Sequence, residues 1–167
     1  MKPAGWMAGA ALMLTALCQT NIAMAACGDP PAPGVNWGRC YMEEQNLDGA
    51  ALASANLRET RFNRSNLIGA DLSKADARRA KFVSADLTGA RLDGADLRET
   101  DFTRAVLRNA QLHSADFRRA RLFRADLRGA DLTGAKLELA DLLNADLSGA
   151  IWTNGKQCGP QSISQCK

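Results

Sequence analysis

The stretch that decides the fold lies in the middle of the chain, where residues 85–99 read ADLTGARLDGADLRE. Leucine recurs every five residues, at Leu87, Leu92 and Leu97, and alanine stands two residues before each leucine. The same period holds without insertion for 22 units between residues 45 and 154, and 18 of them carry this alanine. A register kept over this length indicates a repeat architecture in which each unit packs on its neighbours.

A period of five is incompatible with a regular helix or a flat strand. Five residues of α-helix turn through about 500°, which would spread the leucines over every face. In a strand, an odd spacing would alternate them between the two faces of a sheet. The leucines share one side only if the chain turns a corner in every unit, and the Gly, Asn, Asp and Ser residues near the unit junctions suit such turns. The sequence therefore predicts a coil lined by leucine and alanine.

The repeated motif A-[DN]-L-x-x resembles that of the pentapeptide-repeat family, and the resemblance covers residues 45–154, about two-thirds of the chain. It implies an all-β fold, a right-handed quadrilateral parallel β-helix with four units in each coil. Twenty residues per coil would give about 5.5 coils, with residues twenty apart stacked on one another. The segments at residues 33–40 and 152–166 also look like the ends of exported members of the family.

The start of the chain has the features of a secretory signal peptide. Lys2 precedes an apolar run over residues 5–18, and Ala23-Met24-Ala25 is an A-x-A cleavage motif. We predict cleavage near Ala25 and a periplasmic or secreted bacterial protein. An uncleaved anchor, or a lipoprotein acylated at Cys27, are the alternatives, and a membrane partner is expected only with lipidation. The predicted segments are residues 1–25 (signal), 26–44 (N-terminal cap), 45–154 (β-helix) and 155–167 (C-terminal tail).

Four cysteines follow the signal segment: Cys27, Cys40, Cys158 and Cys166. An even set in an exported chain favours disulfides, and three pairings are possible. We predict Cys27–Cys40 and Cys158–Cys166, because the two pairs lie at opposite ends of the repeat. Free thiols or a metal site are the alternatives, but there is no C-x-x-C spacing and no histidine near either pair, which disfavours zinc.

The ends and the interior of the coil carry further expectations. A solenoid needs caps on its terminal coils. We expect Trp37, Tyr41 and Met42 to cover the first coil, and Trp152 with the C-terminal tail to cover the last. In the interior, phenylalanines spaced twenty residues apart should form one column, made of Phe62, Phe82 and Phe102.

Charged residues occupy the outward positions. Asp76, Asp96 and Asp116 should stack beside a column of arginines, which predicts a ladder of surface ion pairs on a solvated face. The alternative is a site for a phosphate, a lipid headgroup or an acidic protein, because arginine binds such groups in a bidentate manner. The candidate anion-binding residues are Arg61, Arg64, Lys81, Arg104, Arg121 and Arg124.

One outward column is apolar. Val83, Thr103, Phe123 and Leu143 are spaced twenty residues apart, and Leu139 is close to them in sequence. An apolar stripe on a β-surface favours a contact with a protein partner or a second copy of the chain. The alternatives are scattered surface apolarity or cover by the C-terminal tail. Val83, Phe123, Leu139 and Leu143 are the candidate partner-binding residues.

Little in the sequence points to catalysis. The only histidine, His113, lies one coil from Asp93, which predicts a surface contact, and no Ser or Cys has a base nearby. We therefore predict no enzyme activity, cofactor or metal site, although calcium binding by aspartate columns is an alternative. Some family members mimic DNA to protect a topoisomerase. A formal net charge of +3 disfavours that role and nucleic-acid binding alike, so a scaffold or interaction module is the favoured function.

Overall fold

The computed structural model describes residues 27–167. Parallel β-bridges join residues twenty apart in a continuous series, from Asn36 with Asn56 to Asp131 with Ile151. Each coil of twenty residues therefore contains four five-residue units, and the chain winds as a four-sided β-helix. Over residues 27–167 there are no helices, and each strand is a single bridge residue. Within the coils, this bridge residue stands immediately before the central residue, which is the leucine position of the five-residue unit.

The four sides of the coil are numbered here by the central residues that stack in them. Those residues are Leu47, Leu67, Leu87, Leu107, Leu127 and Leu147 on side 1; Leu52, Leu72, Leu92, Leu112, Leu132 and Trp152 on side 2; Trp37, Leu57, Ala77, Leu97, Phe117 and Leu137 on side 3; and Met42, Phe62, Phe82, Phe102, Leu122 and Leu142 on side 4.

The interior is lined by these central residues, as the period of five predicts. Every central residue from Leu52 to Leu132 is at most 1% exposed. The predicted aromatic column is confirmed, because the rings of Phe62, Phe82 and Phe102 stack with 5.0 Å between successive centroids. Burying a side chain of this size contributes about 1.5–3 kcal/mol, so the column is a major source of stability.

A turn forms each corner of the coil. The alanine two residues before each central residue points into the coil and is called the inner alanine. Its N–H donates to the carbonyl of the preceding central residue, as from Ala55 to Leu52 at 3.1 Å. The residue two positions after the centre has a left-handed backbone, which suits Gly89 (φ 65°) but is also adopted by Arg79 and Glu99 (φ 59° each). Such a backbone costs an L-residue about 1–2 kcal/mol. Hydrogen bonds between successive coils offset this cost at most turns, as from Gly89 N–H to the carbonyl of Arg108 at 2.8 Å. The corner residues are therefore more varied than the predicted turn formers.

Three of the four units without the inner alanine carry a buried hydroxyl instead. Thr60 donates to the carbonyl of Trp37 and Ser65 to that of Met42, both at 2.6 Å, and Thr100 donates to that of Ala77 at 3.1 Å. A buried hydroxyl without a partner would be costly, so the bond to the previous coil makes these substitutions acceptable. The fourth exception, Gln45, is exposed.

β-Helical pairing begins inside the segment predicted as the N-terminal cap. Asn36 and Tyr41 already pair with residues of the next coil, so the stacked coils start at Asn36, nine residues before residue 45. Trp37 occupies a central position, is 2% exposed, and donates from Nε1 to the carbonyl of Asp29 at 3.2 Å. A disulfide joins Cys27 to Cys40, one of the two predicted pairs. This disulfide uses the sulfur of Cys27, the atom that acylation would require.

The C-terminal tail covers only half of the last coil, which corrects the expectation of a complete cap. The tail turns back and pairs in antiparallel fashion on two sides: Gln157 bridges to Ile151 on side 2, and Ile163 to Asp146 on side 1. The second disulfide, Cys158–Cys166, closes this tail. Residues 155–167 form no bridge to sides 3 and 4. Leu137 and Leu142 are consequently only partly buried, and so is Trp152.

The predicted signal peptide, residues 1–25, lies outside the described residues. From Cys27 to Lys167, no helix has the length and apolar character needed to cross a membrane.

Candidate interaction surface

Side 3 carries a regular ladder of ion pairs. Within one unit, Arg98 donates from Nε and Nη2 to both carboxylate oxygens of Asp96, at 2.8 and 2.6 Å. The Arg78–Asp76 and Arg118–Asp116 pairs repeat this geometry. Contacts between coils link the rungs, such as Arg78 Nε to Asp96 Oδ2 at 3.3 Å. The predicted ladder is therefore present, and its charges are largely neutralised by one another.

The ladder shifts the titration of its members. A hydrogen bond from Arg118 lowers the pKa of Asp116, and burial opposes this effect. The pKa of Asp76 is lowered in the same way by Arg78. On side 1, burial acts to raise the pKa of Asp126, but hydrogen bonds from Arg128 and Arg108 outweigh it and lower the value to about 2. These carboxylates are therefore held in the charged form by arginine.

The six candidate anion-binding residues do not form one site. Arg64 pairs with Glu44 and Arg121 with Asp101. Arg61 lies over the ring of Tyr41 and Arg124 over that of Phe123, 4.7 and 5.1 Å from the centroids. Among residues 27–167, Lys81 and Arg104 are the two candidates without an ion pair or a ring contact.

The corner between sides 3 and 4 forms a shallow depression of about 380 Å³. Four basic side chains line it, two from each of two coils, and Glu99 and Asp101 come from the coil between those two. Their carboxylates compete for the same cations, since Arg79 binds Glu99 at 3.0 Å. The cations of the depression are Arg79, Lys81, Arg119 and Arg121.

The apolar column on side 4 is present as predicted from the twenty-residue spacing. Backbone hydrogen bonds set its register, with Arg64 N–H donating to Val83, Ser84 to Thr103, and Arg104 to Phe123. Val83, Thr103 and Phe123 are half-buried. Exposure rises towards the C-terminal end, to 57% at Leu143 and 79% at Leu139. Large apolar side chains are therefore most accessible beside the last coil.

The backbone is open at the same end. One coil earlier, the N–H of Phe117 donates to Lys136 at 2.8 Å and that of Leu122 to Asp141 at 2.7 Å. The equivalent N–H groups of Leu137 and Leu142 have no hydrogen-bond partner within residues 27–167. The sequence analysis missed this open edge. No signal in the sequence revealed it, because residues 155–167 do not keep the five-residue period.

His113 bridges two carboxylates on side 2. Its Nδ1 lies 2.7 Å from Asp93 Oδ1, the predicted contact, and its Nε2 lies 3.0 Å from Asp131 Oδ2, which the sequence analysis did not identify. The hydrogen bond with Asp93 raises the pKa of His113, burial opposes it, and the charge of Asp131 adds to the increase. Because both ring nitrogens face acids, this arrangement links three coils and offers no free base to a substrate.

The described part of the chain, Cys27 to Lys167, has no cluster of three His, Cys, Asp or Glu side chains that could hold a metal ion. The aspartates of the side 3 column each bind an arginine, as do Asp101 and Asp126. Each paired carboxylate faces a cation that would repel calcium.

Comparison with known proteins places the chain in a family. The family model for pentapeptide repeats matches in eight copies, over residues 46–82, 85–122 and 120–151. The chain belongs to the pentapeptide-repeat family, as the motif A-[DN]-L-x-x predicted. The quadrilateral β-helix that the resemblance implied is the fold of these proteins. No curated protein matches the chain.

Several solved structures resemble it. HetL, a pentapeptide repeat protein involved in heterocyst differentiation regulation from the cyanobacterium Nostoc sp. strain PCC 7120, is 30% identical with a TM-score of 0.51, covering 75% of this chain and 71% of HetL. A second pentapeptide repeat protein of that cyanobacterium is 41% identical with a TM-score of 0.37, and the match covers 52% of this chain and 67% of that protein. A pentapeptide repeat protein from the Arabidopsis thaliana thylakoid lumen is 29% identical with a TM-score of 0.33, and the match covers 64% of this chain and 68% of that protein.

Proposed function

We propose that the chain is an exported, non-enzymatic scaffold, a right-handed β-helix with about 5.5 coils over residues 45–154, and that it contacts another protein through side 4. Membership of the pentapeptide-repeat family supports a repeat scaffold. The two disulfides support a periplasmic or secreted location, because such bonds persist in oxidising compartments. The signal segment at residues 1–25 is the sequence feature that favours export.

The apolar column of side 4 carries this proposal. Outward positions elsewhere on the coil are mainly polar or charged, whereas this column runs through Val83, Thr103, Phe123 and Leu143, with Phe123 and Leu143 in successive layers. Three of the five exposed large apolar side chains within residues 27–167 are close to the C-terminal end of the coil. Burying such a stripe against a partner would remove apolar area from water, which is the main favourable term in association. These three residues are Leu139, Leu143 and Ile163.

Affinity capture from periplasmic and culture fluid tests the proposed function. The wild-type chain should retain a partner that the double variant Phe123→Glu/Leu143→Glu does not retain. The control is Ile68→Glu, which changes an exposed apolar residue on side 1, outside the column. Equal retention by the wild type and the double variant would reject side 4 as the contact surface.

Anion binding is a second candidate, favoured by Lys81 and Arg104, the two candidate cations without an ion pair or ring contact. A phosphate-bearing polymer or an anionic lipid surface would be the ligand. Binding to heparin and to vesicles containing phosphatidylglycerol at low ionic strength tests it. Retention that Lys81→Gln/Arg104→Gln abolishes would support this function, and passage of the wild type without delay would exclude it.

Protection of a topoisomerase by DNA mimicry is not proposed. Such a role requires a negatively charged rod, and the formal net charge here is +3. The acids of side 3 are also paired with arginines along the whole ladder. The surface therefore lacks the uncompensated negative charge that a DNA mimic presents.

A further inference from the structure

Over three successive coils, side 4 presents an apolar column between two rows of basic side chains. The column consists of Val83, Thr103 and Phe123, which are half-buried. The residue before each centre and the residue two after it flank this column, and four of these flanking positions carry exposed basic side chains. They are Lys81 and Arg121 on one flank and Arg104 and Arg124 on the other. Because exposed side chains border half-buried ones, the column is the floor of a shallow trough.

Acids compensate little of the positive charge of the trough. Lys81 and Arg104 make no ion pair within residues 27–167. The guanidinium of Arg124 lies over an aromatic ring of the column, 5.1 Å from the centroid, and not against a carboxylate. The flanking acid, Asp101, lies 3.6 Å from Arg121. Four basic residues against one acid leave a formal charge of +3 on this part of side 4.

We propose that the trough binds an acidic amphipathic α-helix of a partner protein, laid along the axis of the rod. This inference rests on the proposed function, because it names the chemistry of the partner that contacts side 4. Apolar side chains of the partner would pack on Val83 and Phe123, and carboxylates on the two flanks of its helix would pair with Lys81 and Arg104. Charge complementarity selects an acidic partner, and the apolar column requires that one face of its helix be free of charge.

The spacing of the coils on side 4 matches the pitch of an α-helix. The phenylalanine rings stacked inside this side have successive centroids 5.0 Å apart. Val83 and Phe123 are two coils apart, which separates them by about 10 Å along the rod. An α-helix rises about 1.5 Å per residue, so its positions i and i+7 are about 10.5 Å apart, with i+3 or i+4 between them. One apolar side chain from each turn of a helix can therefore meet each coil.

An extended strand and a lipid surface match the trough less well than a helix does. Side chains on one face of a strand repeat about every 6.6 Å, so a strand that starts at Val83 would be about 3 Å out of step at Phe123. A lipid surface takes up apolar side chains that project beyond the charged ones. Here the apolar column is half-buried and the basic side chains around it are exposed. Both the spacing and the depth of the trough therefore favour a helix.

Fluorescence anisotropy with a labelled synthetic peptide tests the trough. The probe is an Ala- and Glu-rich helix of about 18 residues with leucines at i, i+4, i+7 and i+11. We expect binding that weakens as salt is added and that Lys81→Glu/Arg104→Glu and Phe123→Asp each weaken at least about tenfold. The matched control is Lys74→Glu/Lys136→Glu, which makes the same charge change at exposed lysines outside the trough and should leave binding unchanged.

A charge exchange keeps the test independent of any loss of stability in the variants. A second probe, with lysine in place of every glutamate, should bind Lys81→Glu/Arg104→Glu more tightly than it binds the wild-type chain. A variant that had merely unfolded would bind neither probe. Failure of the first probe to bind the wild-type chain, or equal effects of the trough variant and the Lys74→Glu/Lys136→Glu control, would overturn the proposal.

Circular dichroism tests whether the bound probe is helical. Residues 27–167 contain no helix, so a helical signal gained on mixing is assigned to the peptide. A probe of the same composition with a central proline should bind at least about tenfold more weakly, because proline interrupts the helix. Equal binding by the proline probe would reject a helical partner. Binding to vesicles that contain phosphatidylglycerol, with no binding of the peptide, would assign the trough to lipid and overturn the proposal.

The outcomes also separate this proposal from the proposed function. If capture of a protein depends on Phe123 and Leu143 but the probe does not bind, side 4 is a contact surface and its partner is not an acidic helix. If the probe binds in the trough while no protein is captured from periplasmic or culture fluid, the helix site stands and the proposed scaffold function fails.

Discussion

The two ends of the β-helix differ in how completely their terminal coils are covered. At the N-terminal end, Trp37 and Met42 take central positions and are at most 8% exposed, and the Cys27–Cys40 disulfide ties the preceding segment to the first coil. At the C-terminal end, the equivalent residues of sides 3 and 4, Leu137 and Leu142, are only partly buried, although a disulfide is present there too. The difference comes from how much of a coil each terminal segment can cover.

The comparison shows that a disulfide alone does not close a solenoid. Each coil is stabilised by its neighbours, so a terminal coil keeps only half of its contacts unless a cap replaces the rest. At the N-terminal end, the hydroxyls of Thr60 and Ser65 also bind the carbonyls of Trp37 and Met42. The equivalent inner positions near the other end are Ala140 and Ala145, which can form no such bond. We therefore expect the C-terminal end to open first.

The largest contrast should come from two leucines that stack on side 4. Leu122 is fully buried, whereas Leu142, one coil later, is partly buried. Leu122→Ala should lower the free energy of unfolding by about 3–5 kcal/mol. Leu142→Ala should cost below about 2 kcal/mol, because water already reaches that site. Urea denaturation of the two variants beside the wild-type chain measures both losses. Equal losses would mean that the C-terminal end is closed after all.

Removing the disulfides should have the next largest effect. The bridged cysteines are 13 residues apart in the first pair and 8 in the second, and loops of this size contribute about 2–3 kcal/mol each by limiting the unfolded chain. The double change Cys158→Ser/Cys166→Ser should also free the tail and speed proteolysis at the C-terminal end. Mass spectrometry of a limited digest locates the first cleavage. A first cleavage near the N-terminal cap would contradict the predicted order of opening.

A smaller effect is expected from the two hydroxyls that bind the first coil. Thr60→Val keeps the shape but removes the bond to the carbonyl of Trp37, and should cost about 1 kcal/mol. Ser65→Ala should act similarly at Met42. Thr100→Val, in the middle of the rod, is the matched control for local hydrogen exchange. Faster exchange at the first coil in Thr60→Val but not in Thr100→Val is the result that fits.

The smallest effect concerns pH. Hydrogen bonding with Asp93 raises the pKa of His113 in the folded chain above 6.5, its ordinary value. The charged pair therefore stabilises the fold fully below about pH 6.5, and this contribution is lost as the pH rises through the higher folded pKa. Since His113 is about half exposed, the effect should stay below about 1 kcal/mol. Thermal melts at several pH values measure it, and His113→Gln should flatten the profile. A wild-type profile rising with pH over this interval would contradict the prediction.

Much of the fold and part of the surface follow from the five-residue period and the twenty residues in each coil. The twenty-residue spacing predicted the columns of Phe82 and Phe102, the ladder at Asp96 and the apolar stripe at Phe123, because residues at one spacing must stack when the coil is regular. The spacing did not predict the neighbours of Arg61 and Arg124, which contact aromatic rings and not carboxylates. Long side chains select among several neighbours, and spacing does not rank those neighbours.

The sequence by itself determined the architecture, because only a backbone that bends once in every five residues can bury all the leucines together. The period does not extend to the termini in recognisable form, so their structure was decided in three dimensions. There the start of pairing at Asn36 and the half cover over Ile151 and Asp146 depend on which edge groups the terminal segments can reach. For the tail, the direction of the turn that enters it decides which groups it reaches, and that direction is a property of the folded coil and not of the repeat.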